Sequence, residues 1–434
     1  MLTYLTKREH FNLNTNTIII VIILFSIIFL SRYLYNLPFN IIEGFSADLD
    51  PNIKQLLEDY IKKEEIFQRN GKEIQSQSRH PPGQMQVIKP NLFSELYLRD
   101  FYIKSSFNSC VIDKQSKYVS QHILPILLRQ GIRFYNFQLF KVGEELEPVV
   151  GVNKINSTES LTSENYVNFI NVIDVLKQNA FISSLPNYKD PLFIHLELCN
   201  IYDTAALSKL YNHVKNFGNL DKIKNKPGLD EFYYKQQAKS KTNTKSDDPF
   251  VFNSRKRIFF FITINYEIDS NSITELLQLS NVYKTFPHDT NEITGSGAVF
   301  LMDYSTASNL GAREGKFTAE RNMKNFTICV PDKVSGDKEY ENYAYDCDVK
   351  DPICYPEPML YGCQFMPTCY FNETNLQSYN DLFEKRIKSG FIIKHPDLRM
   401  PDIMVQSNEY KGVKGNESAT LKNIESEGKS RFPA

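Results

Sequence analysis

His195 and Glu197 are the two side chains whose types and spacing most invite chemistry. They lie two residues apart in Pro191–Glu197, a run that reads as a strand, so both point to one face. An imidazole beside a carboxylate can serve as an acid/base couple or hold a transition metal. The same pair can equally be a satisfied structural contact. Asp303 and Ser305 close a second strand-like run, Ala298–Tyr304, at the strand end where α/β barrels collect catalytic groups, but no base accompanies them. Gly295, Ser296 and Gly297 have the composition of a phosphate-cradling turn, yet they precede a strand where such a turn follows one.

Positioning these groups requires a framework of short strands. Candidate strands are Phe101–Ile103, Arg133–Phe140, Pro148–Val150, Pro191–Glu197, Arg257–Ile264, Ala298–Tyr304, Phe326–Val330 and Cys363–Cys369, with helical patterns between them. Ser163–Lys177 is typical of those helices: Ser163 reads as the N-cap, and Tyr166, Phe169, Ile170, Ile173 and Leu176 form one apolar stripe. Eight strands alternating with helices predict an α/β fold of the (β/α)8 TIM-barrel type. Upstream, Pro51–Gln68 has helical spacing of Ile53, Leu56, Leu57, Tyr60 and Ile61 and reads as a stalk or docking helix. Polar stretches at Asn70–Pro90 and Lys222–Pro249 read as linkers, and the chain after Met400 as a polar tail.

The chain has 434 residues, 41% of them hydrophobic and 23% charged, which is enough for a large core and excludes a fibrous or wholly disordered protein. Fifty Lys and Arg against 51 Asp and Glu give a net charge of −1, without the basic excess of a dedicated nucleic-acid binder. Asn-X-Ser/Thr triplets at Asn156, Asn325, Asn372 and Asn416 are weak signals in so Asn-rich a sequence.

Thr17–Ser31 is an uncharged, strongly apolar run that Tyr33, Leu34 and Tyr35 extend past Arg32. It predicts one membrane-spanning helix over residues 17–35, with Arg32 snorkelling and the tyrosines at the interface. No small-residue cleavage site of a signal peptide follows it. Lys7 and Arg8 before the segment, with Glu43, Asp48 and Asp50 after it, place the N-terminus in the cytoplasm and the bulk of the chain on the lumenal or exterior side. Of the seven cysteines, Cys329, Cys347, Cys354, Cys363 and Cys369 crowd one stretch. Disulfides, free thiols and a zinc site are all open there, zinc being disfavoured because no CxxC pair exists and no His lies between Cys329 and Cys369.

Several segments, in order, resemble phosphoinositide-specific phospholipase C. Leu98–Cys110 (LRDFYIKSSFNSC) resembles the opening of that family's X box. Gln130–Phe140 is similar to its second barrel strand, Glu147–Val150 to its third, and Pro191–Cys199 to its fourth with a buried acid. Tyr361–Gln364, Tyr379–Phe383 and Gly390–Arg399 resemble the Y box. The resemblance implies a phospholipase C-like phosphodiesterase barrel split into an X-box-like half at residues 91–221 and a Y-box-like half with a Cys-rich insertion at 250–399, joined by the 222–249 linker. Residues 1–16, 17–35, 36–90 and 400–434 are then the cytoplasmic N-terminus, membrane segment, stalk with linker, and tail.

The family's reaction uses two imidazoles and a calcium ion. One His activates the inositol 2-hydroxyl, the other protonates the leaving group, and an Asn with three carboxylates holds the metal. Here Phe107 stands at the first His position and Val152 at or near the second. Asn108 and Glu197 match metal ligands, while Asn136 and Gln138 replace the other acids, whose amide oxygens could still coordinate. The basic inositol-phosphate contacts are also replaced, by Phe261, Thr263 and Ile328.

The resemblance implies a pseudoenzyme barrel, without catalytic residues or cofactor, and the apolar run adds a membrane anchor, so the chain is expected to act as a membrane-anchored structural or binding protein. A protein or lipid head group is the expected partner at the barrel mouth. The alternative is a divergent lipid-directed phosphodiesterase using Glu197, Asn108 and His195 with Ca2+.

Overall fold

The computed structural model describes residues 51–59, 98–153, 160–217 apart from 184 and 186, 258–264, 282–285, 299–332, 355–386 and 389–399, together with residues 62, 276, 340, 342, 345 and 346. The apolar run Thr17–Ser31, both linkers, the tail, Gly295–Gly297, Cys347, Cys354, Asn156 and Asn416 lie outside these residues. Among the described residues no helix is long and apolar enough to cross a membrane.

The chain forms a mixed α/β fold. Its strands are β1 (Phe101–Ile103), β2 (Ser105–Ser106), β3 (Phe134–Phe140), β4 (Val149–Gly151), β5 (Val167–Asn168), β6 (Leu192–Leu198), β7 (Ile258–Ile264), β8 (Val282–Thr285), β9 (Val299–Asp303), β10 (Phe326–Val330), β11 (Tyr345–Asp346), β12 (Tyr355–Pro356) and β13 (Phe391–Ile393). Strands β2, β3, β6, β7 and β8 pair in parallel in that order. A second parallel pair joins β9 to β10. Single parallel bridges tie Phe365 to Ile328 and to Ile103, and Thr368 to Ser106. β7 comes from the second half of the sequence yet pairs with β6, so the two halves share one sheet.

Three seven-residue strands, β3, β6 and β7, are buried along their whole length, as expected of parallel strands covered on both faces. Their period-2 pattern sorts side chains into layers. One face carries Phe134, Asn136 and Gln138 on β3, Phe193, His195 and Glu197 on β6, and Phe259, Phe261 and Thr263 on β7. The phenylalanines form an aromatic floor centred on Phe365, whose ring lies 4.6 Å from Phe134, 5.1 Å from Phe193, 5.5 Å from Phe261 and 5.6 Å from Phe326. Such pairs contribute about 0.5–1.5 kcal/mol each beyond their buried area. The polar side chains make the next layer, toward the C-terminal ends of the strands.

Helices cover the sheet. Phe169–Asn179 buries Phe169, Val172, Ile173 and Leu176, and Thr204–Asn216 buries Ala206, Leu207, Leu210 and Val214, each at helical spacing. Asp203 caps the second by accepting from the Ala205 N–H at 2.8 Å. Residues 51–59 are helical, and Leu57 is buried in the main core with Ile53 and Leu56 packed against it, so this helix docks on the body.

Several expectations need correction. Pro148–Val150 supplies β4, but β4 runs antiparallel to β3, so it is not one of the parallel strands. Val282–Thr285 fills that role beside β7. The helix expected from Ser163 starts at Phe169, because Val167 and Asn168 are taken up as β5 against β4, and the Ser163 hydroxyl instead accepts from the Val152 N–H at 3.2 Å. Tyr166, placed on the apolar stripe, is exposed. Cys363–Cys369 makes isolated bridges at Phe365 and Thr368 and no continuous ladder.

Cys110, Cys199, Cys329, Cys363 and Cys369 are all buried. Burial pushes the Cys363 thiol up to about 11 despite Arg321 and Lys394 nearby, and raises Cys329 and Cys369 well above the ordinary thiol range, so these groups are packing residues and not nucleophiles. Asn325 and Asn372 are buried, and their amides donate to the carbonyls of Arg321 and Tyr340, which removes both from the list of glycan acceptors in the folded chain.

Candidate functional site

The polar layer at the C-terminal ends of β3, β6 and β7 brings together Asn136, Gln138, His195, Glu197 and Thr263. Register explains the meeting: Asn136 lies opposite His195 and Gln138 opposite Glu197, while His195 and Glu197 lie opposite Phe261 and Thr263. All five are buried, Glu197 being 5% exposed and His195 0%.

Two main-chain N–H groups orient the amides. The Asn108 N–H donates to Asn136 Oδ1 at 3.1 Å, and the Asn153 N–H donates to Gln138 Oε1 at 2.7 Å. With their oxygens held, both side chains turn N–H groups toward Glu197. Asn136 Nδ2 donates to Glu197 Oε1 at 3.0 Å and Gln138 Nε2 to Oε2 at 3.4 Å. Each carboxylate oxygen thus receives an amide donor. The amide oxygens, named above as possible metal ligands, each accept one main-chain N–H and face away from the carboxylate.

The same logic fixes His195. Asn136 Nδ2 also approaches His195 Nδ1 at 3.1 Å, which makes Nδ1 the acceptor. The proton then sits on Nε2 and is donated to Thr263 Oγ1 at 2.8 Å. Burial pulls the His195 pKa down and the Glu197 charge only partly opposes this, so the ring is neutral at pH 7. Both ring nitrogens are used within the network.

Phe107, Asn108 and Val152 stand over this layer. Phe107 is 2% and Val152 0% exposed, both in the main hydrophobic core. Asn108 adopts a left-handed backbone with φ of 41°, a conformation Asn tolerates, and its carbonyl accepts from the Val111 N–H at 2.8 Å to close the turn after β2. Tyr340, from the chain after β10, completes the cover. Its hydroxyl donates to the Asn153 carbonyl at 3.0 Å and its ring meets Phe107 edge-on at 5.2 Å. Asn372 Nδ2 donates to the Tyr340 carbonyl at 2.7 Å.

Nothing in the sequence pattern around Tyr340 marked it, since the residue lies in a stretch without periodicity. Thr263 as the partner of His195 was within reach, because parallel neighbours carrying groups of the same parity share a face. Asp303 and Ser305 stay outside the cluster: the Ser305 hydroxyl donates to Asp332 Oδ1 at 2.8 Å in an exposed capping contact. Ile328 is buried in the core. Among the described residues no three His, Cys, Asp or Glu side chains are grouped to hold a metal ion.

The chain matches no protein-family model and no curated protein. Its fold is similar to that of solved phospholipase C structures. S. officinalis PLC21 aligns with a TM-score of 0.53 at 17% identity, covering 75% of this chain and 40% of that one. L. pealei PLC21 aligns at 0.48 and 16%, covering 71% and 38%. A calcium-dependent phosphoinositol-specific phospholipase C from Pseudomonas sp aligns at 0.38 and 8%, covering 72% and 99%. The chain spans about two fifths of the length of the two PLC21 proteins.

Proposed function

We propose that this protein is a membrane-anchored phospholipase C-like barrel without phosphodiesterase activity, serving as a structural or binding component at a membrane. A closed (β/α)8 ring is supported by the parallel order β2, β3, β6, β7, β8, by the β9–β10 pair, and by the bridges that return from β10 through Phe365 and Thr368 to β1 and β2. β8 and β9 lie within 8 Å of each other, leaving room for no further strand. The anchor is supported by the apolar run Thr17–Ser31, and the charges flanking it favour a barrel on the lumenal or exterior side.

The reading rests on Glu197, whose two oxygens are each met by an amide N–H, from Asn136 and Gln138. Calcium wants several anionic or carbonyl oxygens converging at 2.3–2.6 Å. Two N–H groups, whose partial positive charge faces the lone carboxylate, fill the place of a cation and repel one. The residues present do not fit the metal. Proton transfer is equally unsupported: Phe107 and Val152 carry no proton, and His195 is neutral, fully buried and engaged at both nitrogens. Partner binding then falls to the loops around the barrel.

The test is hydrolysis of phosphatidylinositol in vesicles by the purified full chain, with and without Ca2+. No release of inositol phosphate above the buffer rate is expected in either condition, and Ca2+ leaves the melting temperature unchanged. Release at an enzymatic rate overturns the reading.

A further inference from the structure

We propose that Tyr340 is an internal ligand of the barrel mouth: its phenol occupies the space above Asn108 and Glu197 that a bound molecule would otherwise fill. The inference rests on the inactive-barrel reading and deepens it by naming what the mouth binds. Tyr340 is 0% exposed although the residue itself belongs to no helix or strand, and a buried tyrosine hydroxyl calls for a hydrogen-bond partner. Its ring packs on Phe107 and its hydroxyl donates to the Asn153 carbonyl. That same Asn153 residue gives its N–H to Gln138, so the phenol is joined to the network around Glu197 through one peptide.

The phenol is also held from behind. Asn372 donates to the Tyr340 carbonyl, and two residues on, Asn342 binds the same segment: its Nδ2 donates to the carbonyls of Asn372 at 2.8 Å, Thr374 at 2.9 Å and Cys369 at 3.2 Å, while its Oδ1 accepts from the Cys369 N–H at 2.8 Å. That segment begins beside Thr368, which bridges Ser106 next to Phe107. Tyr340 and Asn342 are thus both tied to the segment that follows Thr368, which fixes the phenol in place.

The lining states the chemical class of the occupant. Phe107 offers an aromatic face, Asn153 a carbonyl acceptor and Glu197 a negative charge. Burial and the nearby Cys369 and Glu197 push the phenol upward, so it remains a protonated donor, with Asn108 the one polar neighbour pulling the other way. A site of this composition takes a flat, neutral ring with one hydrogen-bond donor and rejects a phosphate, the group an active barrel of this fold would need to hold.

The experiment is complementation of a cavity in the full chain. Tyr340→Gly lowers the melting temperature by about 5–10 °C. Millimolar 4-methylphenol raises the melting temperature of the variant and leaves wild type unchanged, while inorganic phosphate affects neither. Equal or absent response to 4-methylphenol in the two proteins overturns the proposal, and so does stabilisation of the variant by phosphate. If the glycine variant does not fold, nitration of wild type by tetranitromethane decides: exposed Tyr166 and Tyr202 react and Tyr340 does not. Nitration of Tyr340 at their rate overturns the proposal. Hydrolysis of phosphatidylinositol by wild type would sink the inactive-barrel reading instead, and is measured separately from either result.

Discussion

Two buried charged groups at the two ends of the strands are treated in opposite ways. Glu197, at the C-terminal end of β6, has an amide donor on each oxygen, and both donors are themselves held by main-chain N–H groups. Lys394 lies beside Asn322, just before β10, at the N-terminal ends. It is 1% exposed, and among the described residues its Nζ donates to the Asn322 carbonyl alone, at 3.1 Å, a carbonyl that also accepts from Gln364. Burial brings its pKa down to about 7; Asp100 and Cys363 oppose this and Arg99 assists it. One end has a charge solvated by fixed dipoles, and the other a charge the fold pushes toward neutrality. The carboxyl group meets prearranged dipoles that replace water, whereas the buried amine has one shared carbonyl and burial works against its charged form.

The largest test of this contrast is Asn136→Asp. It replaces the donor 3.0 Å from Glu197 by a second carboxylate, removing a hydrogen bond and adding a like charge in a buried site. A loss of about 3–5 kcal/mol in urea unfolding at pH 7 is expected. The loss shrinks as pH falls, because one carboxyl of the pair has a raised folded pKa and protonation relieves the repulsion. A loss below about 1 kcal/mol means that Glu197 does not depend on the amide, since a single exposed contact costs no more.

Lys394→Met tests the other end. In wild type the folded pKa of about 7 lies below the unfolded value, so between the two the unfolded chain binds more protons and stability rises with pH through that window. Below pH 7 the folded chain must also carry the buried charge. The Met variant is therefore expected to be more stable by about 1–4 kcal/mol at pH 6. Its stability between pH 7 and the unfolded lysine pKa of about 10.4 rises less steeply, by roughly 1 kcal/mol per pH unit. Parallel wild-type and variant profiles from urea titrations across that range would show that Lys394 keeps its proton.

Much of the framework was legible from period-2 patterning. Phe134, Asn136 and Gln138, like Phe193, His195 and Glu197, announce a strand with an apolar start and a polar end, and β3, β6, β7 and β10 fall within a residue or two of their predicted limits. What failed was direction and brevity. Pro148–Val150 is apolar enough for a strand, but apolarity does not reveal that β4 runs antiparallel to β3. Val282–Thr285 contains Lys284 in a four-residue element and offers no run to detect. At the site, the sequence showed amides in place of acids, yet which end of each amide faces Glu197 depends on main-chain N–H groups at positions 108 and 153, far along the chain. Tyr340 reaches the mouth by way of contacts with Asn153 and Asn372, and no local pattern encodes such a crossing.

The smallest effect concerns the link between the histidine and β7. Thr263→Val keeps shape and branching but removes the acceptor of the His195 Nε2–H, leaving a buried donor without its partner. A loss of about 1–3 kcal/mol is expected, and Thr263→Ser, which keeps the hydroxyl and sheds a methyl, should lose about 1 kcal/mol. Nitrogen-15 NMR of wild type should show His195 as a neutral ring with the proton on Nε2 at about pH 6.5, where a free imidazole is half protonated, because burial lowers its pKa. If Val and Ser cost the same, the hydroxyl is not what orients the ring. If the ring also gains a proton near pH 6.5, a solvated imidazole stands beside Glu197, and the contrast between a carboxyl group met by amides and a lysine whose pKa burial lowers loses its first half.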